Sequence, residues 1–145
     1  MWTDPEVTRF ISAKAQGEED VWARLLRNVG HWSVMGFGYW SVRERASGRY
    51  VGDVGFANLR RALTPPLGDA PECGWVLARW AWSQGFATEA VGAAVAWASA
   101  ALQRPTVCII DGDNAASIRV AEKVGYRYAR QAEYHGEPVG VYERP

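Results

Sequence analysis

The sequence predicts a mixed α/β fold in which a central β-sheet is flanked by helices. Two observations carry this expectation. The run "TVCIID" is apolar throughout, as a strand buried on both faces should be, and it follows "ECGWVLA" through an alanine-rich segment of helical period, which makes a parallel βαβ unit. Around that unit, runs of aromatic and β-branched residues are separated by turn residues at hairpin spacing, which adds antiparallel strands.

Each element follows from its own pattern. "EEDVWARLLRNVG" sets Val21, Trp22, Leu25, Leu26 and Val29 at helical spacing and reaches Gly30, so an amphipathic helix is expected to end there. From Phe37 to Glu44 aromatic and β-branched residues resume, "ASGR" makes a turn, and "YVGDVGFANL" completes an antiparallel hairpin. "LTPPLGDAP" is too rich in Pro and Gly to continue a ladder, and reads as a surface loop leading into "ECGWVLA", the candidate central strand. Ala87, Ala90, Val91, Ala94, Val95, Ala98 and Leu102 then line one face of a helix of about 18 residues, small enough for close docking on a sheet. "NAASIRVAEKVG" is a short helix capped by Asn114 or Asp113 and stopped by Gly125, and the chain closes with a hairpin turning at "HGEP". The expected order is α, β, β, β, α, β, α, β, β.

At 145 residues and 16.0 kDa the chain suits one domain spanning residues 1–145. Sixteen basic residues balance sixteen acidic ones, so no general field draws the molecule to nucleic acid or anionic lipid. Hydrophobic residues make up 48%, yet no uninterrupted apolar stretch approaches the ~20 residues of a membrane span. The opening "MWTDPEVTRF" lacks the basic and apolar blocks of a signal peptide, so a cytoplasmic location is expected. Cys73 and Cys108 lie far apart in strand-like surroundings and read as buried free thiols. His31 and His135 have no accompanying HExxH, CxxC or acidic cluster, so no metal site is expected. The eight tryptophans read as core or cleft walls.

The chemistry concentrates in "WSQGFATEA". In a parallel βαβ unit the loop after the first strand opens at the carboxyl edge of the sheet, where the following helix presents unpaired N–H groups and the positive end of its dipole. A phosphate is held there without a lysine, provided nothing bulky blocks the backbone, and Gly85 and Ala87 supply that clearance. The competing reading is that Ser83 caps the helix and Gly85 merely allows close packing. There is no GxxxxGK[ST] motif, and no acid stands ~20 residues after the glycine, so nucleotide hydrolysis and hydride transfer recede.

The stretch "ECGWVLARWAWSQGFATEAVGAAVAWA" followed by "DGDNAASIRVAEKVGY" resembles the GCN5-related N-acetyltransferase (GNAT) superfamily, and within it the ribosomal-protein N-terminal acetyltransferases. The resemblance runs from about Asp4 to Arg144. It implies the acyl-CoA N-acyltransferase fold, acetyl-coenzyme A as co-substrate, and a primary amine acceptor that attacks the thioester directly in a ternary complex. The acceptor is a protein N-terminus or a small-molecule amine.

By the same resemblance, Ser83, Gln84, Gly85, Phe86, Ala87 and Thr88 wrap the pyrophosphate with backbone N–H groups. Val76, Leu77 and Ala78 pair with the pantetheine arm as an added strand, and the Val76 N–H polarises the thioester oxygen. Asn114 touches the pantetheine or phosphate region, or is a plain N-cap. Glu72 is the candidate general base, directly or through water, with a structural carboxylate as the alternative. Ser117 is the candidate proton donor to the departing thiolate, or a helix serine bonding to backbone, with Tyr134 and Tyr142 as fallback acids. His31 and Trp32 fall where the family lines its acceptor cleft, Trp32 and Trp40 forming an apolar wall; a surface histidine and a core tryptophan are the competing readings.

Trp82 stands where the superfamily carries Gln or Arg, and Ser83 where the subgroup carries Gly. By the resemblance the sequence begins past the family's usual first strand, so the sheet is expected to lack that strand: either the start is trimmed, or the exposed edge is covered by the partner of a homodimer or by the swapped N-terminal stretch. A non-catalytic acyl-CoA-binding or regulatory module is the second reading, and an unrelated α/β structural protein the third.

Overall fold

The computed structural model describes residues 1–12 and 15–145. Its elements are α1 (Pro5–Thr8), α2 (Glu18–Met35), β1 (Tyr39–Arg43), β2 (Tyr50–Ala57), β3 (Leu63–Thr64), β4 (Glu72–Leu77), a 3₁₀ turn (Arg79–Ala81), α3 (Phe86–Ala101), β5 (Thr106–Asp111), α4 (Ala115–Lys123), β6 (Arg127–Tyr134) and β7 (Glu137–Arg144). One seven-stranded sheet runs β1-β2-β4-β5-β7-β6-β3. All neighbours are antiparallel except β4 and β5, which are joined through α3 as the parallel unit expected from the sequence. The strand β1 forms one edge of the sheet, and among the described residues no N-terminal strand pairs with it.

Three expectations are corrected. Gly30 lies inside α2, which runs on to Gly36, whose left-handed backbone (φ 72°) ends it with an N–H bond to the Trp32 carbonyl. Tertiary contacts near its end extend the helix: the Trp32 indole N–H donates to the Tyr39 carbonyl at 3.0 Å. The "LTPPLGDAP" segment contributes a short strand after all, because Leu63 and Thr64 pair with Tyr134 and Glu133 of β6, and Leu63 is buried against Ala132 and Val141. Most consequential, the apolar stripe of α2 faces outward: no residue of this helix is buried, and Trp22, Leu25, Leu26 and Val29 are all exposed. The helix is docked by His31, Trp32 and Arg24, the last stacked 3.8 Å over Trp2 and donating to Gln16 at 3.2 Å.

The main core lies between α3 and the sheet. Val91, Ala94, Val95 and Ala98 of α3 are buried there with Val54, Phe56, Cys73, Leu77, Cys108 and Ile110. Trp97 stands edge-on to Trp40 with centroids 4.9 Å apart, and Trp32 meets both rings. The four small or β-branched residues of α3 let its axis approach the strands closely, so that bulk comes from the sheet side.

On the other face of the sheet Tyr39 crosses two strands. It pairs with Gly55 of β2, which pairs with Gly74 of β4. A Cβ built on Gly74 would stand 2.0 Å from the Tyr39 hydroxyl, and one on Gly55 would stand 2.2 Å from the Gly38 carbonyl oxygen. Gly74 therefore leaves room for the phenol, and Gly55 for the main chain at Gly38 and Tyr39. Burial pushes the Tyr39 hydroxyl well above its usual range, with the negative charge of Glu72 the next cause.

Both cysteines are free and buried, and burial pushes the Cys73 thiol up to about 12. In the native protein neither thiol is expected to react with a disulfide reagent at mildly alkaline pH, and both should react once the chain is unfolded, as titration of released chromophore measures. Gly55→Ala should lower the unfolding free energy by about 2 kcal/mol or more in urea melts, since its methyl meets main chain that cannot rotate away.

Candidate active site

A slot opens between β4 and β5. Their ladder holds a single registered pair, Glu72 with Val107, closed by the Val107 N–H donating to the Pro71 carbonyl at 3.0 Å. Beyond it β5 pairs along its whole length with β7, from Thr106–Arg144 to Asp111–Val139, while β4 stays with β2. Two central strands thus part while each keeps its other neighbour.

The phase of the β2–β4 ladder decides which amides face the slot. The Ala78 N–H donates to the Val51 carbonyl at 2.8 Å, and antiparallel pairs alternate, so Val76 opposite Asp53 is also a hydrogen-bonded pair turned toward β2. The main chain of Trp75 and Leu77 then points to the slot. Of the three residues expected to meet the pantetheine, Val76 and Ala78 turn their main chain toward β2 and Leu77 faces the opening. Trp75 is the residue that sequence reasoning missed, because strand composition says nothing of hydrogen-bond phase. The Leu77 carbonyl accepts the Trp82 indole N–H at 2.9 Å, which seats that ring at the end of the slot.

The loop beyond β4 turns through two left-handed residues, Ser83 (φ 59°) and Gly85 (φ 86°). Gly85 is the N-cap of α3, and no side chain caps the helix. The alternative in which Ser83 does so is excluded. The first helical bond runs from Glu89 N–H to the Gly85 carbonyl at 3.1 Å, which leaves the amides of Phe86, Ala87 and Thr88 outside the helical ladder. A Cβ on Gly85 would meet nothing within 4 Å, so the loop is open on that side at the start of the helix. Phe86 packs edge-on against Trp80, and the Gln84 side chain folds back to donate to the Trp80 carbonyl. These contacts fix the loop without using its amides.

Asn114 caps α4, its side-chain oxygen accepting the Ser117 N–H at 3.1 Å, which leaves the carboxamide NH₂ available. Ser117 follows in the first turn, half-buried. Glu72 is 5% exposed and both its oxygens accept from Arg61 Nε, at 3.0 and 2.7 Å. Arg61 also donates to the Tyr134 hydroxyl at 3.0 Å. A proton reaching Glu72 would land on an oxygen already held by a charged donor, so contact with an acceptor amine is blocked on that side. Tyr142 is buried edge-on to Tyr128, and burial raises its hydroxyl.

His31 is neither at the surface nor free. Its Nδ1 meets the Phe37 carbonyl at 2.6 Å and its Nε2 accepts the Asn58 N–H at 2.9 Å, so Nδ1 carries the proton and the ring is a neutral staple between α2 and the sheet. Trp32 spends its indole N–H on Tyr39 and its ring on the Trp40–Trp97 cluster. Neither offers a polar group to an acceptor. The sheet face opposite α3 carries Asp53, whose carboxyl is raised by burial against the opposing influence of Tyr50, Trp2 and Arg24. Among the described residues no group of three or more His, Cys, Asp or Glu side chains is gathered to hold a metal ion, and no helix is long and apolar enough to cross a membrane.

Comparison with known proteins places this geometry. Residues 1–127 match the family model described as the acetyltransferase (GNAT) domain. An uncharacterized Bacillus subtilis protein, YkkB, is 29% identical over 148 aligned residues that cover 99% of this chain and 81% of that protein. The structure of a putative GNAT-family acetyltransferase from Bordetella pertussis superposes with a TM-score of 0.84 at 27% identity, covering 96% of this chain and 85% of that one. The fold is also shared, at 13% identity and a TM-score of 0.73, with spermidine N-acetyltransferase from Vibrio cholerae solved with CoA and spermine, over 98% of this chain and 83% of that one. The parted β4 and β5, the uncapped start of α3 and the family match agree, and the chain belongs to the GNAT family of acetyltransferases.

Proposed function

We propose that the protein is an acetyl-coenzyme A-dependent N-acetyltransferase acting on a primary amine, either a protein N-terminus or a small molecule. The observation that carries this is the slot beside the uncapped helix start: β4 and β5 separate after Glu72–Val107, and the helix that starts beyond β4 leaves the amides of Phe86, Ala87 and Thr88 outside its ladder. The diphosphate sits against Ser83 to Thr88, on main-chain donors and the helix dipole. The pantetheine lies in the slot as an added strand against Leu77, and the Trp75 N–H donates to the thioester oxygen. Asn114 contributes its free NH₂ from the far side.

The acceptor nitrogen attacks the thioester carbon. A C–N bond forms, the C–S bond breaks, and the electron pair leaves on sulfur. The ammonium form of the acceptor first loses a proton to Glu72 through water, since Arg61 occupies the carboxylate directly. As the C–S bond breaks, Ser117 passes its hydroxyl proton to the thiolate while taking the second proton of the attacking nitrogen. Support for an amine acceptor comes from the Vibrio cholerae relative, which is a spermidine acetyltransferase.

Thiol release from acetyl-coenzyme A with a panel of amines and N-terminal peptides tests the proposal: turnover with at least one acceptor is expected. Binding of coenzyme A without turnover for every acceptor would instead favour a non-catalytic acyl-CoA module. Gly85→Glu should weaken coenzyme A about a hundredfold, roughly 3 kcal/mol by calorimetry, because it fills the open space at the start of the helix and adds a repelling charge. Glu72→Gln should lower turnover more than it raises the acetyl-coenzyme A KM. It should also cost about 2 kcal/mol of stability in urea melts, less than a fully buried pair because the Arg61 side chain keeps 24% of its surface.

A further inference from the structure

The sheet face opposite α3 stays partly open beside the slot. Along β4, Cys73 and Leu77 turn under α3, so Glu72, Gly74 and Val76 share the other face, where Gly74 and Val76 are half-buried. An acceptor approaches a thioester in the slot from this side, because α3 covers the other.

One side chain reaches across this face toward the slot. Tyr39 of β1 pairs with Gly55 of β2, which pairs with Gly74 of β4, and the Tyr39 hydroxyl stands 2.0 Å from where a Cβ of Gly74 would be. The oxygen therefore takes the side-chain place of residue 74, one same-face repeat or ~7 Å along β4 from Glu72. The next residue is Trp75, whose N–H donates to the thioester oxygen in the reading above.

That oxygen is uncommitted. No described residue hydrogen-bonds it, and among the described residues no buried side-chain oxygen lacks a partner, so the hydroxyl meets solvent in the opening. It keeps one donor and two lone pairs for another molecule. Burial and the charge of Glu72 hold it protonated at neutral pH, so it donates and accepts at once. Its polar neighbours on this face are already engaged, Glu72 by Arg61 and Arg61 by Tyr134.

We propose that the Tyr39 hydroxyl positions the acceptor nitrogen, accepting one N–H of the incoming ammonium and donating its own O–H to the water that leads to Glu72. This rests on the acetyltransferase reading. The water takes the proton of a second ammonium N–H and passes one to Glu72, while the tyrosine stays neutral throughout.

Tyr39→Phe keeps the ring and removes the oxygen. With an acceptor that turns over in the thiol-release panel, kcat/KM for that acceptor should fall about thirtyfold, the worth of a hydrogen bond to a charged group. The KM for acetyl-coenzyme A, the calorimetric affinity for coenzyme A and the urea melt should stay unchanged, since the oxygen has no partner in the protein to lose. Gly74→Ala, whose methyl meets the hydroxyl, should also cut turnover, and adding Tyr39→Phe should recover part of its melting midpoint but not its turnover. Unchanged acceptor kcat/KM in Tyr39→Phe, an equal loss of coenzyme A affinity, or a lowered melt overturns this assignment and leaves the acetyltransferase reading standing. No turnover by the unaltered protein with any acceptor overturns that reading and this assignment together.

Discussion

The parting of β4 from β5 governs the rest of the molecule. A sheet loses its ladder bonds in the middle only where something else occupies the exposed main chain, because unpaired amides away from water cost free energy. Here the break is built into the connectivity. β5 is committed along its length to β7, and β4 along its length to β2, so the two halves of the sheet behave as separate hairpin systems pinned together at Glu72–Val107. The α3 helix crosses from one half to the other and brings its uncapped start to the mouth of the opening.

That pin is reinforced from one side. Glu72 sits at the crotch of the slot, and its bonds to Arg61, with Arg61 held by Tyr134, tie the start of β4 to the far hairpin through side chains. Next to it Tyr39 lies across Gly55 and Gly74, binding β1, β2 and β4 into one surface. The same residues that keep the slot's base rigid therefore crowd the sheet face next to it. A carboxylate that reads in isolation as a base is first of all a strut.

The helices divide the labour differently from their sequence patterns. α3 behaves as its small apolar face promises and packs the core, with Val91, Ala94, Val95 and Ala98 buried. α2 shows an equally regular stripe but turns it to solvent, because a few directed hydrogen bonds and ring contacts fix its rotation: the His31 ring between the Phe37 carbonyl and the Asn58 amide, the Trp32 indole on Tyr39, and Arg24 on Trp2. Directed bonds select a rotation about the helix axis, whereas an apolar stripe only states that something should cover it.

Local chemistry in the chain was enough to identify the elements that flank the slot. The alanine face of α3, the apolar strand at Thr106–Asp111, the Asn114 cap and the glycine opening at residue 85 are each set by residues a few positions apart, and periodicity, capping and left-handed φ are short-range effects. Partnerships between distant residues were not legible. That Trp75 rather than Val76 faces the slot depends on the phase set by Val51 and Ala78, that Glu72 is held depends on Arg61, and that His31 is a staple depends on Asn58. Hydrogen-bond phase, ion pairing and helix rotation belong to contacts between segments far apart in the chain, and only the assembled sheet brings those segments together.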